Sequence, residues 1–359
     1  MPATNKLIFV VYDGILNSVF QSQVLMPLIK KVEKSEDLEV CIVSFEKQIP
    51  PLKTILSLCD NEHIHIVAKK RPLFLGQFSL LLPIRQLSKF LKETPSTKII
   101  ARGPLAGYIT INALKKTKQP AIDEIIIQAR GLAAEEFKYT NSLKKQNVLK
   151  KVFNPARYKK LKNIEFEAYK KRNDAHLNNM KIEVVSPALK DYLIKTFDAD
   201  ENKITMAHED IPHKIDKEKI KEWRKATREE LEIPQDAIVY CYSGSARPWQ
   251  CIDETIDYFK KAYKKNKNNF LLILSQDKEE IEDKLKKAKL PEHSYKILSV
   301  EPKNLYVYLA AADYGLLFRH KDIINWVSRP TKMLEYQAVG LKIIHNNTIE
   351  WLSENKKFD

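Results

Sequence analysis

Between Asn325 and Gly340 the chain reads NWVSRPTKMLEYQAVG. Pro330 suits the first turn of a helix, where a missing N–H costs nothing, and Ser328 is a residue of capping type. A helix starting here presents unpaired N–H groups and the positive end of its dipole, an environment suited to a diphosphate. Glu335 stands one turn inward, where a carboxylate could accept both hydroxyls of a ribose. Gly340 permits a tight turn into the next strand. A second stretch, Tyr240–Gln250 (YCYSGSARPWQ), reads as a strand entering a glycine turn. At Gly244 and Ser245 the backbone can approach a phosphate closely. Arg247 follows with a guanidinium suited to bidentate phosphate contacts. Plainer roles compete: a capped helix with an exposed Glu, and a surface Arg on a turn. Trp249 reads as packing.

The first half offers strand-end groups. Gln128–Glu136 (QARGLAAEE) follows a strand directly, so Arg130 stands where a ligand could be held; the competing role is an ion pair with Glu135 or Glu136. Asp13–Gln23 (DGILNSVFQSQ) follows the first strand, and Gly14, Asn17 and Ser18 could line a floor there, or merely build a capped turn. Arg102-Gly103 ends another strand. No metal site is expected. His63 and His65 share a strand face, but no carboxylate or Cys pattern completes a ligand set. Asp198-Ala199-Asp200 lies in a polar loop rather than after a buried strand. Cys41, Cys59, Cys241 and Cys251 form no C-x-x-C pair, which fits reduced thiols. P-loop and G-x-G-x-x-G patterns are absent, which argues against an NAD-type enzyme.

The elements positioning these residues alternate between strand and helix. Leu7–Tyr12, Glu39–Phe45, His63–Val67, Thr97–Arg102, Glu124–Gln128 and Ile182–Val185 read as strands, with helices over Ser18–Lys34, Pro83–Lys92, Gly107–Lys115 and Ala188–Thr196. After a polar stretch over residues 210–230, a second series begins. Its strands are Ala237–Tyr242, Phe270–Ser275, Tyr295–Leu298, Tyr314–Phe318 and Lys342–His345. Its helices are Ile252–Lys265, Lys278–Ala288, Pro302–Ala311 and Pro330–Val339. Continuous apolar strands joined by helices imply doubly wound parallel sheets. With 359 residues, 44% apolar and 30% charged, two domains are expected: 1–200 and 201–359. The fold class is α/β, with two Rossmann-like domains facing each other across a cleft. Open α/β sheets bind ligands beyond the carboxyl ends of their strands.

The pattern P-x-K-x-x-E-Y-x-A-x-G at 330–340 resembles the donor-site helix of family 4 glycosyltransferases with the GT-B fold. YCYSGSARPWQ is similar to the Y-S-G-S-x-x-K-W-Q loop of that family, and QARGLAAEE to the D-x-R-G-x-x-x-E-E segment of its bacterial polysaccharide and lipopolysaccharide members. The resemblance implies a nucleotide-sugar donor, a site needing neither metal nor other cofactor, and retention of anomeric configuration. It implies that Glu335 binds the ribose and that the turn Ser328, Arg329, Pro330 and Thr331 contacts diphosphate and sugar. Arg247, Lys332 and the helix N-terminus would stabilise charge on the leaving diphosphate. Arg130 would hold donor phosphate or acceptor, while Gly14, Asn17, Ser18 and Arg102 fall on the acceptor side. Three positions depart from the pattern. Ser328 replaces the first Glu of E-x7-E, Gln128 replaces an Asp, and Pro248 replaces the basic residue before Trp249. Further elements and a last helix are usual after the strand matching Lys342–His345, so a C-terminal domain lacking its usual end is expected.

The net charge of +15 has an address. Residues 138–172 hold twelve Lys and Arg against Glu165 and Glu167, a net of +10. Such a segment attracts anionic lipid, and Leu73–Ile84 (LFLGQFSLLLPI) could add an apolar contact. No run reaches the roughly 18–20 apolar residues of a spanning helix, and the first residues lack a secretory signal pattern. The expected partners are a nucleotide sugar, a glycan or lipid-linked acceptor and an anionic membrane surface. The expected location is cytoplasmic, peripheral on the inner membrane face. Two readings of other classes stay open: a non-catalytic GT-B module, and a nucleic-acid-binding protein using 138–172. The basic segment lacks RNP, KH and helix-turn-helix patterns, so nucleic acid is not the expected partner.

Overall fold

Apolar runs become buried parallel strands. A computed structural model describes residues 5–35, 37–117, 122–142, 148–208, 212 and 214–354. Seven strands form the first sheet: β1 (Asn5–Val11), β2 (Leu38–Glu46), β3 (Ile64–Lys70), β4 (Lys98–Arg102), β5 (Glu124–Ala129), β6 (Met180–Val184) and β7 (Ile204–Met206). All are parallel, in the order β3-β2-β1-β4-β5-β6-β7. The second sheet holds β8 (Ile238–Ser243), β9 (Asn269–Leu274), β10 (Tyr295–Leu298), β11 (Tyr314–Leu317) and β12 (Lys342–His345), also parallel, in the order β10-β9-β8-β11-β12. The chain divides into two compact units, Met1–Asp210 and Ile211–Asp359. Each is a Rossmann-like sheet with helical connections, as the alternation of elements predicts.

Helices cover the sheets with faces spaced for burial. Ile252–Lys265 buries Ile252, Thr255, Ile256, Phe259 and Tyr263, the three-and-four spacing of one helical face, within a cluster that includes Leu271, Ile273 and Leu316. β9 is buried along its whole length. The expected helix Ser18–Lys34 is instead three pieces: Ser18–Phe20, a π turn over Gln21–Leu25, and Met26–Val32. β7 extends the first unit beyond the boundary expected at residue 200; as three residues, Ile204–Met206 carries no alternation from which a strand could be read.

The polar stretch 210–230 contains a helix, Lys217–Glu230, capped by Asp216, which accepts from the amides of Glu218 and Lys219. Ile220 packs against the apolar core, and the helix's buried residues are the polar Thr227 and Arg228. Arg228 has no exposed surface. Its guanidinium donates to the carbonyls of Ala311 (2.9 Å), Gln235 (2.8 Å) and Ala237 (3.0 Å), and to Asp313 Oδ2 (3.0 Å). Asp313 also accepts from Arg224 (2.6 Å) and from the Val239 amide (2.8 Å). One planar cation thus ties the helix to β8 and to the segment entering β11.

Candidate functional site

Sheet order fixes where ligands can enter. In the second sheet the chain runs from β8 to β9 and β10 on one side, then crosses back to β11 and β12 on the other, so the crevice lies at the carboxyl ends of β8 and β11. There the two strands part, since their register pairs are Tyr240↔Tyr314 and Cys241↔Gly315. Tyr336, fully buried, fills the gap. Its hydroxyl accepts from the Ser243 amide at 2.9 Å and lies 3.4 Å from the Cys241 carbonyl oxygen. Its ring lies over Gly315, where a Cβ would come within 2.2 Å.

Tyr336 belongs to the helix Thr331–Ala338, whose N-cap residue is Pro330 (φ −62°). Ser328, expected as the cap, instead donates its hydroxyl to the Asn325 carbonyl at 2.8 Å, because the short helix Ile323–Trp326 ends against it. No side chain caps Thr331–Ala338, and its first turn holds no acidic residue. The Met333 amide donates to the Pro330 carbonyl at 3.0 Å. One turn before Tyr336, Lys332 is buried (7% exposed). Its Nζ lies 4.2 Å from the centroid of the Tyr242 ring and has no hydrogen-bond partner. Burial and neighbouring Arg319 hold its ammonium well below the usual lysine range, against the pull of Glu335.

The glycine turn after β8 meets this ammonium. Gly244 has φ +142°, and a Cβ there would lie 2.7 Å from Lys332 Nζ. The turn is held by the Tyr242 hydroxyl donating to the Ser245 carbonyl (2.7 Å) and by the Ala246 amide donating to Asp277 (2.8 Å). Glu335 is half-buried, with its carboxyl raised by burial and lowered again by Lys332. The sequence-predicted Gly244, Ser245, Lys332 and Glu335 therefore converge, next to Pro330 and Thr331. Arg247 points elsewhere: it is exposed, and its guanidinium stacks on Trp249 at 5.3 Å. A basic residue missed in the sequence takes its place near Lys332. Arg319, buried just past the end of β11, donates to the Phe318 carbonyl at 2.9 Å. Its place at the end of the strand flanking the crevice was the available signal.

The first sheet has the same geometry at the carboxyl ends of β1 and β4. The expected Gly14, Asn17, Ser18 and Arg102 all follow these two strands. Gly14 (φ +87°) fits against Glu46, where a Cβ would come within 3.0 Å of Oε2; Glu46 accepts from the Ile15 amide and the Ser44 hydroxyl. Asn17 builds the turn, accepting from the Phe20 amide and donating to the Gly14 carbonyl, both at 2.8 Å. The side chain of Ser18 lies outside the described residues. The π turn carries Gln23 onto the Arg102 guanidinium. Arg130 pairs with Glu183 at 3.1 Å. Glu135 is taken by Tyr158 (2.7 Å) and Lys162 (3.1 Å). Gln128 also donates to Glu183 (2.9 Å). Two carboxyls unnoticed as a pair influence each other here. Asp13 is raised by desolvation against Arg71 and Arg102, and Glu136 is raised to about 7 by desolvation and by Asp13. Both keep accessible side chains while sitting among enough protein to lose solvation.

No protein-family model matches the chain, and the search of curated proteins gave no match. Solved structures do match. A glycosyltransferase from Rickettsia africae ESF-5 superposes with a TM-score of 0.63 at 12% identity, over 96% of this chain and 79% of that one. WaaG, a glycosyltransferase involved in lipopolysaccharide biosynthesis, gives 0.59 at 13%, over 94% and 80%. Anabaena Alr3699/HepE, solved in complex with UDP-glucose, gives 0.60 at 13%, over 95% and 80%. The chain has the GT-B fold. In this GT-B fold the two groups of residues occupy equivalent places, beside the first strand of each sheet. Among the described residues, Cys251, Glu254 and His320 bring metal-ligand atoms within 4.8 Å of one another; burial pushes the Cys251 thiol up to about 11. Asp198 and Asp200 have local roles, at the left-handed end of one helix and as the cap of a short turn.

Proposed function

We propose that this protein is a glycosyltransferase that moves a sugar from a nucleotide-sugar donor to a glycan or lipid-linked acceptor, with retention of configuration. The observation that carries this is Lys332. A buried ammonium facing a glycine turn and an uncapped helix, with no hydrogen-bond partner of its own, is costly unless an anion completes it. The diphosphate of a nucleotide sugar has the required charge, and Glu335 stands one turn further along to accept ribose hydroxyls. As the bond between sugar and diphosphate breaks, negative charge grows on the leaving phosphate. Lys332, Arg319 and the first amides of Thr331–Ala338 are already oriented toward such charge in low-dielectric surroundings, so little reorganisation is needed. We assign this charge stabilisation to these groups and none of it to a metal ion. Arg247 is given a rim position, where its salt-screened charge guides the donor inward. In the first unit Asp13, Glu136 and Arg102 surround the position proposed for the acceptor, and a carboxyl titrating near neutrality suits proton transfer from an acceptor hydroxyl.

The test is binding followed by turnover. UDP-, GDP- and ADP-sugars should raise the thermal midpoint of the wild-type protein and not of Lys332→Ala, and one of them should be hydrolysed or transferred. Stabilisation without turnover on any acceptor would favour the non-catalytic module. No stabilisation by any nucleotide sugar would overturn the proposal.

A further inference from the structure

We propose that Leu73–Leu82, with the basic residues around it, is a docking surface for an anionic lipid bilayer. Five large apolar side chains stand out of this short segment: Leu73, Leu75 and Phe78 are 70, 71 and 84% exposed, and Leu81 and Leu82 are 44 and 47% exposed. Isolated exposed leucines need no explanation, but a cluster does. The segment is not slack. Gly76 (φ +98°) packs on the Lys160 side chain, where a Cβ would come within 2.6 Å. Lys160 Nζ donates to the Leu75 carbonyl at 3.1 Å. The Ser79 hydroxyl donates to the Gly76 carbonyl (2.6 Å) and accepts from the Leu75 amide (3.0 Å). The apolar tips are therefore held outward by a built turn, anchored on buried Ser79 and Leu80.

Charge selects the occupant. Residues 63–92 contain six Lys and Arg and no Asp or Glu; residues 137–164 contain nine and again none. Described residues of the two runs touch: Arg157 lies over the rings of Phe74 (5.5 Å) and Phe137 (4.9 Å), and Lys160 grips Leu75. Arg85 and Lys89 are exposed on the helix Leu81–Glu93 that continues the apolar segment. A second copy of this chain would bring like charge onto like charge, which is costly. A bilayer with anionic head groups accepts apolar tips to a shallow depth and surrounds them with negative charge, matching both features. Attachment would be peripheral, since no helix among the described residues is long and apolar enough to cross a membrane.

Flotation with vesicles tests this independently of the donor site. The full chain should float with an equal mixture of phosphatidylcholine and phosphatidylglycerol at low salt, and not with phosphatidylcholine alone. Leu75→Ser with Phe78→Ser should weaken partitioning tenfold or more. Arg85→Gln and Lys160→Gln should each weaken it about fivefold. Unchanged melting and nucleotide binding in these variants would show that fold and donor site are intact. The proposal is overturned by absence of wild-type binding at low salt or by binding indifferent to Leu75 and Phe78. Salt-sensitive binding to RNA without vesicle binding would also overturn it, as would a dimer in sedimentation that the Leu75/Phe78 variant dissociates.

Discussion

Replacing Lys332 with Met should make the free protein more stable and its ligand complex weaker. A methionine fills similar volume with no charge to bury. Exchanging buried charged groups for apolar ones of similar size has raised stability by about 1–4 kcal/mol. Here the ammonium retains a cation–π contact with Tyr242 (4.2 Å), worth about 2 kcal/mol when desolvated. The net gain expected is therefore at most about 2 kcal/mol, a rise of up to roughly 8 °C for a domain of this size. The pH dependence gives a second readout. The folded state holds Lys332 well below the ordinary lysine value, so above that depressed value the unfolded chain binds the extra proton. Wild-type stability should then rise with pH from the depressed value up to the ordinary lysine value of 10.5, where the penalty is gone. Chemical denaturation across this range should show the slope in wild type and not in Lys332→Met. Calorimetric titration with the nucleotide sugar should show a loss of at least about 30-fold in the variant, the cost of removing one partner of a buried charge pair. A less stable Lys332→Met would mean the ammonium is a structural tie, and a stabilised variant with unchanged affinity would mean the anion binds elsewhere.

Glu335→Gln should weaken binding of a nucleoside diphosphate more than binding of pyrophosphate, because the carboxylate is assigned to the ribose; equal losses would remove that assignment. Gly315→Ala forces a Cβ to within 2.2 Å of the Tyr336 ring and should cost about 1–3 kcal/mol in denaturant unfolding. Asp313→Asn leaves the fully buried Arg228 without its counter-charge and should cost about 3–5 kcal/mol, read as a lower melting temperature. Glu165 is fully buried, accepts from the Ala134 amide and is raised from 4.5 to about 7 by burial. The folded state then binds the extra proton between about pH 4.5 and 7, so wild-type stability should fall as pH rises through that window, and Glu165→Gln should flatten the slope. Turnover should persist in EDTA, and its loss, restored by a divalent cation, would return the charge stabilisation to a metal.

The sheets were legible because parallel strands buried on both faces leave unbroken apolar runs such as LIFVVY and FLLIL. Of the residues that converge on Lys332, those were legible where a turn demanded a special type, as at Gly244. What escaped depended on distance. Lys217–Glu230 hid because its buried face is polar, and Arg228 reads as surface charge until Asp313 and the Ala311 carbonyl arrive from some 80 residues away. Arg319 belongs to no local motif, and only the parting of β8 and β11 gives it meaning. Arg247 sits in the family-like loop but is displaced by its stacking on Trp249. Ser328 is a capping residue by type, yet the preceding short helix claims its hydroxyl. Arg130 has its partner in Glu183, a strand away, a pairing that sequence spacing cannot register.

Tyr336 has a consequence of its own. Its neighbour Glu335 faces the crevice, while Tyr336 turns inward and supplies the bond that the parted strands no longer give Ser243. A single helical step thus joins the crevice surface to the seam of the sheet. Movement of the helix toward a bound anion would tug on the last amide of β8, and loosening of that strand end would tilt the helix. Substitution along Thr331–Ala338 is therefore constrained from behind: a change that rotates the helix also unzips the sheet it stands on.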